Sequence, residues 1–390
     1  MNNREHFAVI SIKLTNIEAV EKYIEQAVAQ KIIQSLIIDL LDRYGKDAVY
    51  SSGHDEINLV IEPDCKYVDN CKEILRQYSR PSEIEEYSTR ISMKMGIYEY
   101  KGSKETPIDV YNKSRIAYEQ GSEYESGIYH YDKQLELKRK ETLEITTSLV
   151  ESIKKKELYL VYQPKINIAD DSIAGVEVLI RWNRGYKKPV GPDVFIKLAE
   201  DIGFIKEIST FVFENTCRQV VKWRQKGIDL NFSMNFTDNE LLDSSFVEMG
   251  NQIIDKCSID RTAVEIEITE RVISKSDKIR DVISEFRAKG FKISIDDFGT
   301  GVNSLLRMAG FPFDIIKIDK YFIHRIDNVE IKALISTITN YAHEFGKQVV
   351  AEGVETEEQL KALKELGCDV IQGYYYSKPL LPHEFEQYYY

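Results

Sequence analysis

"FKISIDDFGTG", residues 291–301, is the stretch on which the fold turns. Ile293 and Ile295 alternate with Lys292 and Ser294 on the two-residue period of a β-strand, and two adjacent aspartates and two glycines close it. Seven more short apolar runs share that character: "LYLVYQPKI" (158–166), "GVEVLIRW" (175–182), "DLNFSMNF" (229–236), "AVEIEITE" (263–270), "FDIIKID" (313–319), "KQVVAEGV" (347–354) and "CDVIQGYYY" (368–376). Helical stretches such as "ISTFVFENTCRQVVKWRQKG" (208–227) and "IKALISTITNYAHEFGK" (331–347) fill the gaps. Eight strands alternating with helices over residues 158–390 predict a (β/α)8 barrel of the TIM type, with a doubly wound open sheet as the alternative.

In such a barrel the C-terminal strand ends share one mouth, where the chemistry sits. These ends carry Gln163, Glu177, Asn235, Glu267, Asp296 with Asp297, Lys317, Glu352 and Gln372. Each has a plain explanation by itself: Glu177 could pair with Arg181, and Asn235 could cap a helix. Together, five carboxylates facing one low-dielectric mouth would repel strongly without cations. Hard oxygen donors suit Mg²⁺ or Mn²⁺, and two adjacent aspartates can serve two ions. A metal pair is the usual clamp for in-line displacement at phosphorus. The glycines give the following loop the backbone freedom to pass beside ions and substrate.

Composition narrows the partners. A net charge of −12 argues against a nucleic-acid polymer. No apolar run reaches the length of a membrane span, and "MNNREHFAVI" lacks a signal-peptide core. The scattered cysteines, Cys65, Cys71, Cys217, Cys257 and Cys368, suit free thiols in a reducing cytoplasm, and no His-x-x-x-His pair suggests zinc.

Segment 158–390 resembles the EAL domain, a barrel phosphodiesterase that hydrolyses cyclic di-GMP to linear pGpG. The resemblance rests on "YQPKI", "EVLIRW", "FIKLAEDIGFI", "SMNFT", "EIEITE", "DDFGTG", "IKID", "AEGVE" and "QGYYYSKPL", in that order. It implies two Mg²⁺ or Mn²⁺ ions on Glu177, Asn235, Glu267, Asp296 and Asp297, with Glu352 completing a metal shell or accepting a proton. It implies a catalytic lysine at Lys317 and dinucleotide contacts from Gln163, Leu179, Arg181 and Tyr374. Glu270 would steady the loop after the aspartates, Gln372 would lie near the reacting water, and a homodimer would form through this domain. Two positions depart from the family pattern. The Glu-Ala-Leu signature is Glu177-Val178-Leu179, whose extra methyls face away from Glu177 and should be absorbed by packing. The aromatic that follows Gly301 in the family is Val302, which is expected to loosen dimer coupling and slow turnover.

Residues 1–131 read as a smaller α+β domain, and 132–157 as a helix joining it to the barrel. "HFAVISIKL" is a strand, "EAVEKYIEQAVAQKIIQSLIIDLLDRYG" helical, and "AVYSSGHDEINLVIE" a hairpin. "TRISMKMGIYEY" and "GIYHYD" are strands, with the helix "IDVYNKSRIAYEQG" between them. This half resembles a degenerate GGDEF domain, the diguanylate cyclase fold. Asp55 and Glu56 keep the acidic end of that signature, but His54 stands for a glycine, Ser11 for a metal-binding aspartate, and Tyr44 for the arginine of the inhibitory motif. The expected role is regulatory, without cyclase activity. Three functions compete: an active phosphodiesterase, an inactive EAL receptor or scaffold that binds the dinucleotide, and a bifunctional enzyme. The complete metal set favours the first.

Overall fold

A computed structural model of the chain describes residues 6–53, 55–64, 66–80, 82–84, 87–102, 104–122, 125–273, 277–299 and 310–390. His54, Cys65, Gly301 and Val302 therefore lie outside the described residues. The chain divides into two compact units, the first ending at Glu144 and the second running from Ile145 to Tyr390.

In the first unit the strands are β1 (Phe7–Leu14), β2 (Val49–Ser51), β3 (Glu56–Ile61), β4 (Ser82–Ile84), β5 (Tyr87–Thr89), β6 (Met93–Tyr100) and β7 (Gly127–His130). Five of them form one sheet in the order β2-β3-β1-β6-β7. β1 is almost wholly buried because it pairs on both edges and is apolar nearly throughout. The helix Pro107–Tyr118 lies so close to β6 that a side chain at Gly96 would strike the Ser114 carbonyl. Two features differ from the sequence expectation. The first helical stretch is two helices, Ile17–Tyr23 and Gln26–Tyr44, because Glu25 turns extended between them (φ −165°, ψ 142°). The β4–β5 hairpin carries no period long enough to stand out in the sequence.

The helix Lys133–Ser152 contains the point where the units divide. From Ile145 onward it belongs to the second unit, where Ile145 and Leu149 are buried against Leu158, Trp182 and Phe195.

The second unit holds β8 (Leu158–Asn167), β9 (Ile173–Trp182), β10 (Phe232–Asn235), β11 (Val264–Thr269), β12 (Lys292–Phe298), β13 (Ile315–Ile318), β14 (Gln348–Glu352) and β15 (Val370–Gln372). They close into a barrel in the order β10-β11-β12-β13-β14-β15-β8-β9. The barrel is not uniformly parallel, which corrects the simple (β/α)8 expectation: β8 runs antiparallel to both β9 and β15. Residues 168–172 are all that join β8 to β9, and Asp171 there takes a left-handed φ of 56°. A parallel crossover needs a dozen residues or more, so only a hairpin fits.

Alternation along each strand sorts the side chains. On β11, Val264, Ile266 and Ile268 join the main hydrophobic cluster, while Glu265 and Glu267 alternate with them and face the interior. Val178 belongs to the same hydrophobic cluster, so the extra methyls of the altered signature are packed. Ile315, Val350 and Val370 form an apolar floor within the barrel. Among the described residues no helix is long and apolar enough to cross a membrane, and Cys71, Cys217, Cys257 and Cys368 are free.

Candidate active site

Lys317, on β13, is fully buried, and its ammonium is ringed by carboxylates from four other strands. Nζ lies 2.6 Å from Glu352 Oε1, 2.8 Å from Glu267 Oε2, 3.3 Å from Asp296 Oδ1 and 3.7 Å from Glu177 Oε2. Amides complete the circle. Asn235 Nδ2 donates to Glu177 Oε1 at 2.9 Å, and Gln372 Nε2 donates to Glu177 Oε2 at 2.6 Å and to Gln163 Oε1 at 3.1 Å. Gln163 Nε2 in turn donates to the Ser377 carbonyl at 3.3 Å.

Two of these residues reach the mouth from mid-strand rather than from a strand end. Glu177 sits in the middle of β9, and Gln163 sits opposite it in the antiparallel register of β8. Because β8 runs downward, each later inward residue on it lies one layer deeper.

The adjacent aspartates owe their arrangement to an irregularity. Neighbours on a regular strand point to opposite faces. The β12–β13 register shifts between Ile295 and Phe298, and Asp297 takes a left-handed φ of 54°. This bulge breaks the alternation at Asp296 and Asp297. Asp297 N donates to Asp296 Oδ1 at 2.9 Å. Gly299 follows with a φ of 95°, a conformation that favours glycine, and its N–H donates to Glu270 Oε2 at 3.1 Å.

The electrostatics show an excess of negative charge. Burial raises the Glu177 carboxyl to about 7, and Glu267 and Asp296 add repulsion against the pull of Lys317. Asp296 and Glu352 move up for the same reason, burial first. Asp297 is raised by burial and by Asp319. Glu267 goes the other way: burial opposes its charge, but Lys317 and Lys165 hold it below the usual carboxylate range. Burial also opposes the charge on Lys317, yet Asp296, Glu177, Glu267 and Glu352 outweigh it and raise the lysine well above its ordinary value.

The ring opens into a cleft of about 340 Å³ lined by Gln163, Leu179, Glu352, Gln372 and Tyr374 together with Lys320 and His324. Tyr374 is exposed, with Lys378 Nζ 5.5 Å from its ring centre. Arg181, one pleat beyond Leu179, donates from Nη1 to the Ile180 carbonyl at 2.8 Å. Sequence reasoning missed Lys165, Glu265, Lys320 and His324. The first two share the inward parity of Gln163 and Glu267, a signal that was present in the strand pattern. Lys320 and His324 lie in and just after a short helix capped by Asp319, and no spacing marks them.

The residues fit divalent cations in three respects. The donors are hard oxygens, the negative charge exceeds what the ring's lysine neutralises, and Glu267 Oε1 is buried without a hydrogen-bond partner. Among the described residues no three acidic side chains stand ready as a cation cage, and the Lys317 ammonium takes the middle of the ring.

Fold and mouth define an α/β barrel whose first strand is reversed and whose open end is an acidic ring built on a lysine. The EAL domain matches residues 146–379, and the chain belongs to that family. It is 28% identical over 385 residues to the bifunctional diguanylate cyclase/cyclic di-GMP phosphodiesterase MucR of Pseudomonas aeruginosa, covering 96% of this chain and 56% of that protein. It is 32% identical over 251 residues to the cyclic di-GMP phosphodiesterase PdeR of Escherichia coli, covering 64% of this chain and 38% of that protein. The solved structure of the PaMucR phosphodiesterase in complex with c-di-GMP superposes with a TM-score of 0.60 at 31% identity, covering 62% of this chain and 99% of that one. The chain thus spans about half or less of the length of these two curated relatives.

Proposed function

We propose that the barrel hydrolyses cyclic di-GMP to linear pGpG. The observation that carries this reading is the ring of Glu177, Glu267, Asp296 and Glu352 around Lys317, with Asn235 and Gln372 bonded to Glu177. Membership of a family that is typically metal-dependent supports it. Glu177, Asn235, Glu267, Asp296, Asp297 and Glu352 would hold two Mg²⁺ or Mn²⁺ ions. When bound, the pair would supply Lewis acidity toward water and charge neutralisation at the phosphodiester.

The chain's own residues do the rest. Water adds to one phosphorus and gives up a proton as the bond to the 3′ oxygen breaks, and that oxygen takes up a proton from solvent as it leaves. Glu352, 2.6 Å from Lys317 Nζ, completes a cation's shell or accepts the proton of the attacking water. Lys317 stays charged and balances the charge that develops on the phosphoryl oxygens. Gln372 and Gln163 form an amide chain that fixes Glu177 Oε2, the oxygen that also faces Lys317. Leu179 and Tyr374 line the cleft where a guanine can lie, Arg181 offers a planar fork to a phosphate, and Glu270 holds the loop start at Gly299.

The N-terminal unit is read as a GGDEF-like regulatory domain without cyclase activity, with 132–157 as the connecting helix. Ser11, at the position of a metal-binding aspartate, is buried and bonds Asn58 at 2.6 Å and Ser114 at 2.7 Å. Asp55 pairs with Lys13, and Glu56 accepts from Tyr111 at 2.6 Å and Tyr118 at 2.9 Å. Acids engaged in this way hold the unit together rather than facing a nucleotide. A homodimer through the barrel belongs to the same proposal, and sedimentation of the full chain checks it.

The test is to incubate the full chain with cyclic di-GMP and Mg²⁺ or Mn²⁺ and to separate the products. Appearance of pGpG supports the reading. Binding without product would assign the barrel to a receptor instead.

A further inference from the structure

Beneath the ring lies a second set of charges that the proposed chemistry does not use. Lys165, on β8, faces the barrel interior one layer below Gln163. Its Nζ lies 2.6 Å from Glu265 Oε2 and 3.8 Å from Glu267 Oε1, and Lys165 and Glu265 are each only 5% exposed in their side chains. The other oxygen of Glu267 meets Lys317 at 2.8 Å. Charges therefore alternate down the barrel: Glu265, Lys165, Glu267, Lys317, then the outer carboxylates. Within the ring Glu267 has an ammonium on each side, Lys317 at hydrogen-bond distance above and Lys165 at 3.8 Å below.

This pair is a poor device for stability alone. Removing two charges from water costs several kcal/mol each, and apolar side chains of similar volume often serve as well or better. Ile315, Val350 and Val370 show that this interior accepts such side chains. Glu265 Oε1 also remains without a hydrogen-bond partner, a further cost of keeping the pair.

We propose that Lys165 and Glu265 are positioning residues, in which Glu265 fixes Lys165 and Lys165 fixes Glu267 from below, so that Glu267 presents one arrangement of oxygens to cations at the mouth. The inference rests on Glu267 being a cation ligand. Partners of metal ligands commonly change metal affinity or activity by about 10–100-fold when removed.

The experiment uses the full chain carrying Lys165→Met with Glu265→Leu, which removes both charges together. Lys165→Met alone would strand a buried carboxylate and confound folding with positioning. Glu265→Gln serves as the second variant, because it keeps the size and a hydrogen-bonding group and removes only the charge. Two quantities are read: the Mn²⁺ dependence of the melting temperature without substrate, and kcat and KM for cyclic di-GMP. Expected are a metal-free melting temperature of the double variant at or above wild type and a Mn²⁺ affinity weakened about 10-fold or more. Expected too are a lower kcat with KM little changed, and a smaller loss in both readouts for Glu265→Gln. Wild-type Mn²⁺ affinity and kcat in either folded variant would overturn the inference while leaving the phosphodiesterase reading intact. A wild-type protein that neither responds to Mn²⁺ nor hydrolyses the dinucleotide would overturn both.

Discussion

Replacing Lys317 by methionine removes the ammonium and keeps an unbranched side chain of similar length. Four carboxylates that had a cation within 3.7 Å then face one another. Lys317 and Glu267 are fully buried, so water cannot replace the lost partner. Breaking a buried ion pair by removing one member costs about 3–5 kcal/mol. For a unit the size of residues 145–390, each kcal/mol moves the melting temperature by about 2–4 °C, so a fall of roughly 10 °C is expected at neutral pH in chelator. Divalent cations should restore more of the loss in the variant than they add to wild type, because the variant's carboxylates lack a competing ammonium. Turnover should remain low even with metal, since the charge that balances the phosphoryl oxygens is gone. Calorimetry in EDTA and in Mn²⁺, beside a product assay, measures all three effects. A Lys317→Met protein that melts within 2 °C of wild type in chelator, a shift of about 1 kcal/mol or less, would refute the role given to the buried ammonium.

Chelation should abolish hydrolysis and Mg²⁺ or Mn²⁺ restore it, with Ca²⁺ inhibiting through its larger, looser shell; a folded Asp296→Ala variant should lose several orders of magnitude in turnover, and near-normal turnover would sink the two-metal account. In chelator, stability should fall as the pH rises from 5 to 8. The folded-state value of Glu177, about 7, lies above its ordinary 4.5, so its contribution is full below 4.5 and lost as the pH rises through 7. Asp296 and Glu352 shift in the same direction, and a flat melting curve over that range contradicts the assignment. With hydrolysis blocked by Glu177→Ala, GTP should yield no cyclic di-GMP. Glu56→Ala should destabilise the N-terminal unit by about 1–3 kcal/mol by leaving the Tyr111 and Tyr118 hydroxyls without their acceptor, measurable by urea unfolding. A chain beginning at residue 132 should melt as a folded barrel, whereas one beginning at 158 should melt lower by several degrees. The shorter chain loses buried Ile145 and Leu149 from the cluster with Trp182 and Phe195.

Much of the barrel was legible in the sequence because a β-strand writes its two faces into alternate residues. Glu265 and Glu267 stand between Val264, Ile266 and Ile268, and that pattern alone separates an interior row from a helix-facing row. The recurrence of such runs between helical stretches gave the closed sheet, and their polar ends gave the carboxylates and Lys317. Periodicity does not carry strand direction. β8 reads like its neighbours, and only the short connection at 168–172 forces it antiparallel, which sets Gln163 level with Glu177 and drops Lys165 a layer deeper. Nor does a pattern record which charges meet. Lys317 at the centre of four carboxylates, Lys165 between Glu265 and Glu267, and Asp55 and Glu56 bound within their own unit all depend on distances between segments far apart in sequence. The adjacent aspartates divide in the same way: their identity was written in the chain, but the bulge that lets Asp296 and Asp297 leave strict alternation exists only once β12 pairs with β13.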